Sequence, residues 1–171
     1  MALPVALQLY SVRDELEADF EGTIAKVRKF GYDGVEFAGL YGRSAEQVRK
    51  ILADAGLTPV SAHVPLDELL GDTQAVVATY KEIGCKYIVV PYLPEDRRPG
   101  TEGFDRTIED IKKIADVCNA QGVRLLYHNH DFEFKKLDGK YALDILYSEI
   151  SADRLETEGR SRRRGSRRIC S

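Results

Sequence analysis

Cysteine is scarce and scattered in this 171-residue chain: Cys85, Cys118 and Cys170 are odd in number and far apart. They form neither a metal knuckle nor a C-x-x-C pair, so reduced, structural thiols are expected. Long apolar runs are missing too. None approaches the roughly 18 residues that would cross a membrane. Met1-Ala2-Leu3-Pro4-Val5 has neither the basic start nor the apolar stretch of a secretory signal. The expected compartment is the cytoplasm, with no membrane partner. What the chain does have is 43% hydrophobic and 31% charged residues, a composition that builds a buried core and excludes wholesale disorder. The length suits one domain.

Basic residues are sparse in the body and crowded at the end. Residues 159–171 hold six arginines and no acid, and the remainder has 19 basic against 28 acidic residues, a net of −9. An acidic body does not suit a phosphate-backbone partner, so nucleic acid is not an expected ligand. The tail taken alone reads as a basic arm. The chain therefore divides into a body, 1–158, and an Arg-rich tail, 159–171.

Within the body one pattern recurs: a helix-like segment ends at a glycine and a short apolar strand follows. The junctions are Phe30-Gly31-Tyr32-Asp33-Gly34-Val35-Glu36-Phe37, Ala55-Gly56-Leu57-Thr58-Pro59-Val60-Ser61-Ala62, Ile83-Gly84-Cys85-Lys86-Tyr87-Ile88-Val89-Val90 and Gln121-Gly122-Val123-Arg124-Leu125-Leu126-Tyr127. Glycine just past a helix end takes the left-handed conformation without a Cβ clash. The apolar runs suit strands buried on both faces. The helices are amphipathic, with Ile24, Val27 and Phe30 on one apolar side, then Val48, Ile51, Leu52 and Ala55, and later Ile108, Ile111, Ile114, Ala115 and Cys118. Ser44 and Gln47 offer a capping box. A first strand spans Val5 to Tyr10, a fifth helix runs from about Ala142 to Ile150, and a sixth strand begins near Arg154.

This order is βαβαβαβαβα, an α/β protein with a parallel sheet and right-handed crossovers. Two architectures compete, a doubly wound sheet and a (β/α)8 barrel. The turn after the first strand, Ser11-Val12-Arg13-Asp14, lacks the glycines of a phosphate-binding turn. Polar residues gather instead at the carboxyl ends of successive strands, where a barrel keeps its chemistry: Gln8, Glu36, His63, His128 and His130.

All three histidines of the chain lie at strand ends. One such histidine is ordinarily a satisfied structural residue; three on one rim point to hydroxyl binding, metal binding or proton transfer near neutral pH. The densest stretch is Tyr127-His128-Asn129-His130-Asp131-Phe132-Glu133-Phe134. So much polarity at a buried strand's tip costs desolvation without gaining packing, which favours a sugar or metal site over a plain solvated loop. Alternation aims Glu36 away from Val35 and Phe37, toward the barrel axis; a buried carboxylate paired with a base is the bland alternative. Gln8 is a weaker case of the same kind. Pro94 to Gly100 reads as an ordinary surface loop.

At these residues the body resembles the xylose isomerase-like TIM barrels, the superfamily of sugar phosphate isomerases and epimerases. The landmarks are Leu7-Gln8-Leu9-Tyr10-Ser11-Val12-Arg13, Gly31-Tyr32-Asp33-Gly34-Val35-Glu36, Ser61-Ala62-His63 and Tyr127 to Phe134. The resemblance implies a partial (β/α)8 barrel of about five and a half βα units. It implies one divalent metal, manganese or else magnesium, zinc or cobalt, with Glu133 as its first ligand. His128, His130 and Glu133 would be the catalytic group, and Gln8, Glu36 and His63 would line the substrate pocket. The implied reaction is isomerisation or epimerisation of a small-molecule sugar through a metal-stabilised enediolate. A metal-dependent lyase or hydrolase of 3-keto-glycosides would use related chemistry on the same barrel.

Family members continue through strands six to eight, and their second metal ligand, an aspartate, falls here on Arg160. The expectation is a C-terminally truncated barrel with an incomplete ligand set, impaired or inactive as an enzyme. Its open sheet edges would invite self-association. The tail is expected to be disordered or out of frame. Gly165 to Ser171 can be encoded by GGA TCC CGG CGG ATA TGT TCG, which one base later reads Asp-Pro-Gly-Gly-Tyr-Val-Arg, like the segment after strand six in relatives.

Overall fold

The computed structural model describes residues 3–158; the expectations for 159–171, Cys170 included, lie outside them. Six parallel strands make the main sheet: β1 (Ala6–Gln8), β2 (Gly34–Ala38), β3 (Thr58–His63), β4 (Tyr87–Val90), β5 (Arg124–His128) and β8 (Leu155–Glu158). Helices α1 (Arg13–Ala18) and α2 (Phe20–Lys29) link β1 to β2, and α3 (Ala45–Ala55) links β2 to β3. Next come α4 (Leu66–Gly71) with α5 (Thr73–Ile83), then α6 (Phe104–Gln121), then α7 (Ala142–Glu149) before β8. A hairpin of two-residue strands, β6 (Lys136–Leu137) and β7 (Lys140–Tyr141), precedes α7.

The spatial order β1-β2-β3-β4-β5-β8 follows the chain without reversal. A doubly wound sheet needs a reversal at its switch point; a barrel does not. The described residues therefore form a curled part of a (β/α)8 barrel. Neighbouring helices pack side by side, α2 on α3, α3 on α5 and α5 on α6. The core fills the space between this helical layer and the sheet. Phe37 meets Tyr80 of α5 with ring centroids 6.4 Å apart. Phe37 thus faces the helices, and by alternation Glu36 faces the other way.

Local chemistry sets the boundaries. Ser44 and Gln47 form the expected capping box at the start of α3. Gly84 ends α5 at φ +108°, and a Cβ there would lie 3.2 Å from Pro59 Cγ, so both the backbone and the space call for glycine. Asp19 breaks the first crossover into two helices by accepting from the Gly22 amide at 2.9 Å.

Three details depart from the sequence reading. The first strand is shorter than Val5–Tyr10, because Leu9–Val12 winds into a 3-10 turn. Phe30 is 78% exposed rather than part of the apolar face. Each i+3 step lags a full turn by about 60°, so Ile24 and Val27 share the core while Phe30, already the cap of α2, swings clear of it. Finally, β2 and β3 slip register between Val35 and Glu36: Val35 pairs with Pro59 but Glu36 with Ser61. Pro59 has no amide to give the ladder, and a bulge of this kind re-aims the following side chain. Here it sets Ser61 beside Glu36.

Candidate functional site at the carboxyl ends of the strands

The site grows from one polar rung. Gln8, Glu36 and Ser61 are register partners across β1, β2 and β3. Gln8 Nε2 donates to Glu36 Oε1 at 2.9 Å, and Ser61 Oγ donates to Glu36 Oε2 at 2.5 Å. Glu36 is only 6% exposed, so these donors replace the water its carboxyl has lost.

A second tier lies at the strand tips. His63 ends β3, His128 ends β5, and Glu158, at the end of β8, stands opposite His128 in the register. Glu158 Oε2 is 2.9 Å from His63 Nε2 and 2.9 Å from His128 Nδ1. His63 Nε2 is also 3.2 Å from Glu36 Oε1, which ties the two tiers together. The imidazoles continue outward as a row: His63 to His128 and His128 to His130 are each 5.2 Å between ring centroids. His130 stacks on Phe132 and meets Tyr92 edge-on, and its Nδ1 is buried without a partner among the described residues.

Charge is distributed unequally over this group. Burial raises the pKa of Glu36, and the nearby Glu158 carboxylate adds to the rise against the opposing effects of His63 and Ser61. Burial opposes ionisation of Glu158 as well, but hydrogen bonds from His63 and Glu36 outweigh it and bring Glu158 down to about 2. Burial also disfavours the charged form of His63, yet the Glu158 hydrogen bond and the two carboxylate charges raise its pKa. Glu158 is thus the fixed anion, His63 its cationic partner, and Glu36 the carboxyl that most readily holds a proton.

Of the residues expected from sequence, Gln8, Glu36, His63 and His128 converge, and His130 joins through ring contacts. Glu133 is not brought into that group. It sits in the 3-10 turn Phe132–Phe134, 1% exposed. Its Oε1 accepts from the Tyr127 hydroxyl at 2.7 Å and its Oε2 from the His130 amide at 2.8 Å. Burial and this carboxylate push the Tyr127 hydroxyl well above its ordinary pKa, so it remains a donor. Ser61 and Glu158 escaped the sequence reading. The available signal was strand phase: His128 follows Leu125 by three residues as Glu158 follows Leu155, and both pairs are register partners. The loop after β4 is fastened at both ends, by Arg97 Nη1 to Asp110 Oδ2 at 2.8 Å and by Arg98 Nε to the Leu93 carbonyl at 3.1 Å. Cys85 and Cys118 are buried free thiols raised to about 12 by desolvation, as expected of structural cysteines.

Chemically, the tips offer two imidazole nitrogens and one carboxylate oxygen, all within 4.8 Å of one another. Such a donor set fits a divalent ion. The rung below offers a carboxyl, an amide and a hydroxyl, groups that bind polyols and move protons.

The sequence matches the family profile described as xylose isomerase-like TIM barrel over residues 24–147. No curated protein matches it. Among solved structures, a sugar phosphate isomerase/epimerase from Parabacteroides distasonis is similar with a TM-score of 0.76 and 21% identity, over 91% of this chain and 64% of that one. The family 2 AP endonuclease from Brucella melitensis gives 0.69 and 15%, over 91% and 68%. A xylose isomerase-like TIM barrel protein from Mycobacterium smegmatis, in complex with magnesium, gives 0.66 and 14%, over 90% and 63%. The chain thus spans about two thirds of the length of these structures, and likeness at this identity concerns the fold.

Proposed function

The chain belongs to the xylose isomerase-like TIM barrel family, and from that premise we propose that it carries the polyol-handling side of a sugar or sugar-phosphate isomerase or epimerase. The observation that carries this reading is the convergence of Gln8, Glu36, Ser61, His63, His128 and Glu158 at the strand ends. The activity for which the P. distasonis protein is named supports the substrate class. The acidic composition of the body weighs against the DNA chemistry named for the Brucella neighbour.

In this reading Gln8 and Glu36 bind substrate hydroxyls, and His63 orients the carbonyl-bearing end. Glu36 is the carboxyl placed to give or take a proton, while His130, whose ring lies against His128, relays protons to solvent. Glu133 acts through its neighbours, because its two hydrogen bonds fix the turn that presents His128 and His130. A divalent ion, when bound by His63, His128 and Glu158, would supply Lewis-acid polarisation of adjacent oxygens.

The test is exchange at carbon rather than net turnover. The full chain is incubated in D2O with a panel of ketoses, aldoses and their phosphates plus Mn2+, and deuterium at the carbon beside the carbonyl is followed by mass spectrometry after the ion is removed. Deuterium incorporation above the no-protein control, abolished by Glu36→Gln, is the expected result. Background-level exchange across the panel with a folded protein would overturn the proposal.

A further inference from the structure

The three strand-tip ligands differ from the Glu133-based ligation implied by family resemblance, and their chemistry is selective. His63, His128 and Glu158 come from β3, β5 and β8. The carboxylate oxygen sits 2.9 Å from each imidazole nitrogen. That is a hydrogen-bonding distance; it is also roughly the edge of a coordination polyhedron whose ligands stand about 2.0–2.1 Å from one ion. A single ion can therefore replace the bridging protons with little movement of the strands.

Two neutral imidazoles and one carboxylate are borderline donors. They suit Zn2+, Co2+ or Mn2+. Mg2+ demands near-octahedral oxygen ligation and gives up its waters reluctantly. Three protein ligands also leave positions open, as a catalytic ion requires, and His128 is the most exposed of the three, its side chain 37% accessible. A further oxygen stands beside the site: Glu36 Oε1 lies 3.2 Å from the same His63 Nε2 that faces Glu158, and Glu36 is itself held by Gln8 and Ser61. Among the described residues, this is the one group of three histidine, cysteine or acidic side chains whose ligand atoms converge this closely.

We infer that His63, His128 and Glu158 form a site for a first-row transition ion, with zinc and cobalt as good occupants and magnesium as a poor one. This deepens the reading of the same rim proposed above, but it is tested without any sugar. The metal-free full chain is titrated with CoCl2 and its visible absorption recorded, then competed with ZnCl2 or MgCl2. One equivalent of Co2+ is expected to give d–d bands stronger than those of the aqueous ion. Equimolar Zn2+ should abolish them, and a hundredfold excess of Mg2+ should leave them. Proton NMR of the Co2+-loaded wild type should show two hyperfine-shifted exchangeable imidazole resonances, a readout that needs no variant. His128→Ala and Glu158→Gln should each weaken Co2+ binding by at least a hundredfold, while Glu109→Gln, at an exposed carboxylate of α6 away from the strand tips, leaves it within about threefold. No Co2+ binding, displacement by Mg2+, or sensitivity to Glu133→Gln in place of Glu158→Gln would overturn the inference. Co2+ binding with no carbon exchange would leave this site standing and remove the sugar chemistry instead.

Discussion

Replacing Glu133 separates a strut from a ligand. Its carboxylate is buried and accepts two hydrogen bonds, from the Tyr127 hydroxyl and the His130 amide. Tyr127 is itself fully buried. Glu133→Ala leaves that hydroxyl and amide without an acceptor and opens a void beneath the turn. Hydrogen bonds to a charged group are worth about 1.5–3 kcal/mol each, and the variant no longer desolvates a carboxylate, which offsets part of the loss. The expected net destabilisation is about 3 kcal/mol. Glu133→Gln keeps the shape and one acceptor, and its amide group faces the other donor, so about 1–2 kcal/mol is expected. The chain has no tryptophan, so urea unfolding is followed by far-UV circular dichroism and tyrosine fluorescence. At 2–4 °C per kcal/mol for a chain of this size, the Ala variant should melt roughly 6–12 °C lower. If Glu133→Ala unfolds within about 0.5 kcal/mol of wild type yet loses Co2+ binding, Glu133 is a ligand and the strut argument fails.

Two further outcomes follow from the electrostatics and the caps. A histidine whose folded pKa is raised stabilises the fold fully below its unfolded value of 6.5 and loses that contribution as pH climbs through the folded pKa. Glu36, also raised, behaves the same way from 4.5 upward, whereas Glu158, lowered to about 2, stabilises above 4.5 and fails as pH falls toward 2. The urea midpoint of the metal-free protein should therefore fall from pH 6 to pH 9. Glu158→Gln, which removes the principal cause of the His63 shift, should flatten that slope; parallel wild-type and variant profiles would refute the assignment. Ser44→Ala breaks the capping box of α3 and should cost about 1 kcal/mol in urea titrations. An unchanged midpoint would mean that the box contributes nothing.

The helices and strands were legible in the sequence because their signals are local. Gly56 and Gly84 end α3 and α5 in the left-handed conformation; Ser44 caps α3; the apolar runs after each glycine are strands. The choice between barrel and doubly wound sheet was half-legible, since a missing glycine turn argues only against one nucleotide site, while strand order decides the matter. The site divides the same way. Gln8, His63 and His128 could be named because each is a polar residue at the end of a strand, and Glu36 because alternation sets it apart from Val35 and Phe37. Ser61 needed the bulge at Val60, and Glu158 needed the β5–β8 register, neither of which composition or spacing reports. Glu133 entered by resemblance, as the position onto which the family's first metal ligand maps; a 3-10 turn here sets its carboxylate against the Tyr127 hydroxyl and the His130 amide.

The cost of the polar rung is itself an argument about function. Gln8, Glu36 and Ser61 occupy inward positions where barrels ordinarily stack branched aliphatic side chains. A carboxyl there must be desolvated, and even a well-bonded buried charge is commonly matched or bettered in stability by apolar residues of similar volume. The raised pKa of Glu36 is the direct trace of that penalty. The penalty is local, because Val35 and Phe37 on either side of Glu36 pack into an apolar core. A purely structural rung would have been relieved by leucine or valine. Retaining an amide, a carboxyl and a hydroxyl in register, directly below two imidazoles and a second carboxylate, favours chemistry at the expense of stability, the pattern expected where a fold departs from its own packing rules at a working site.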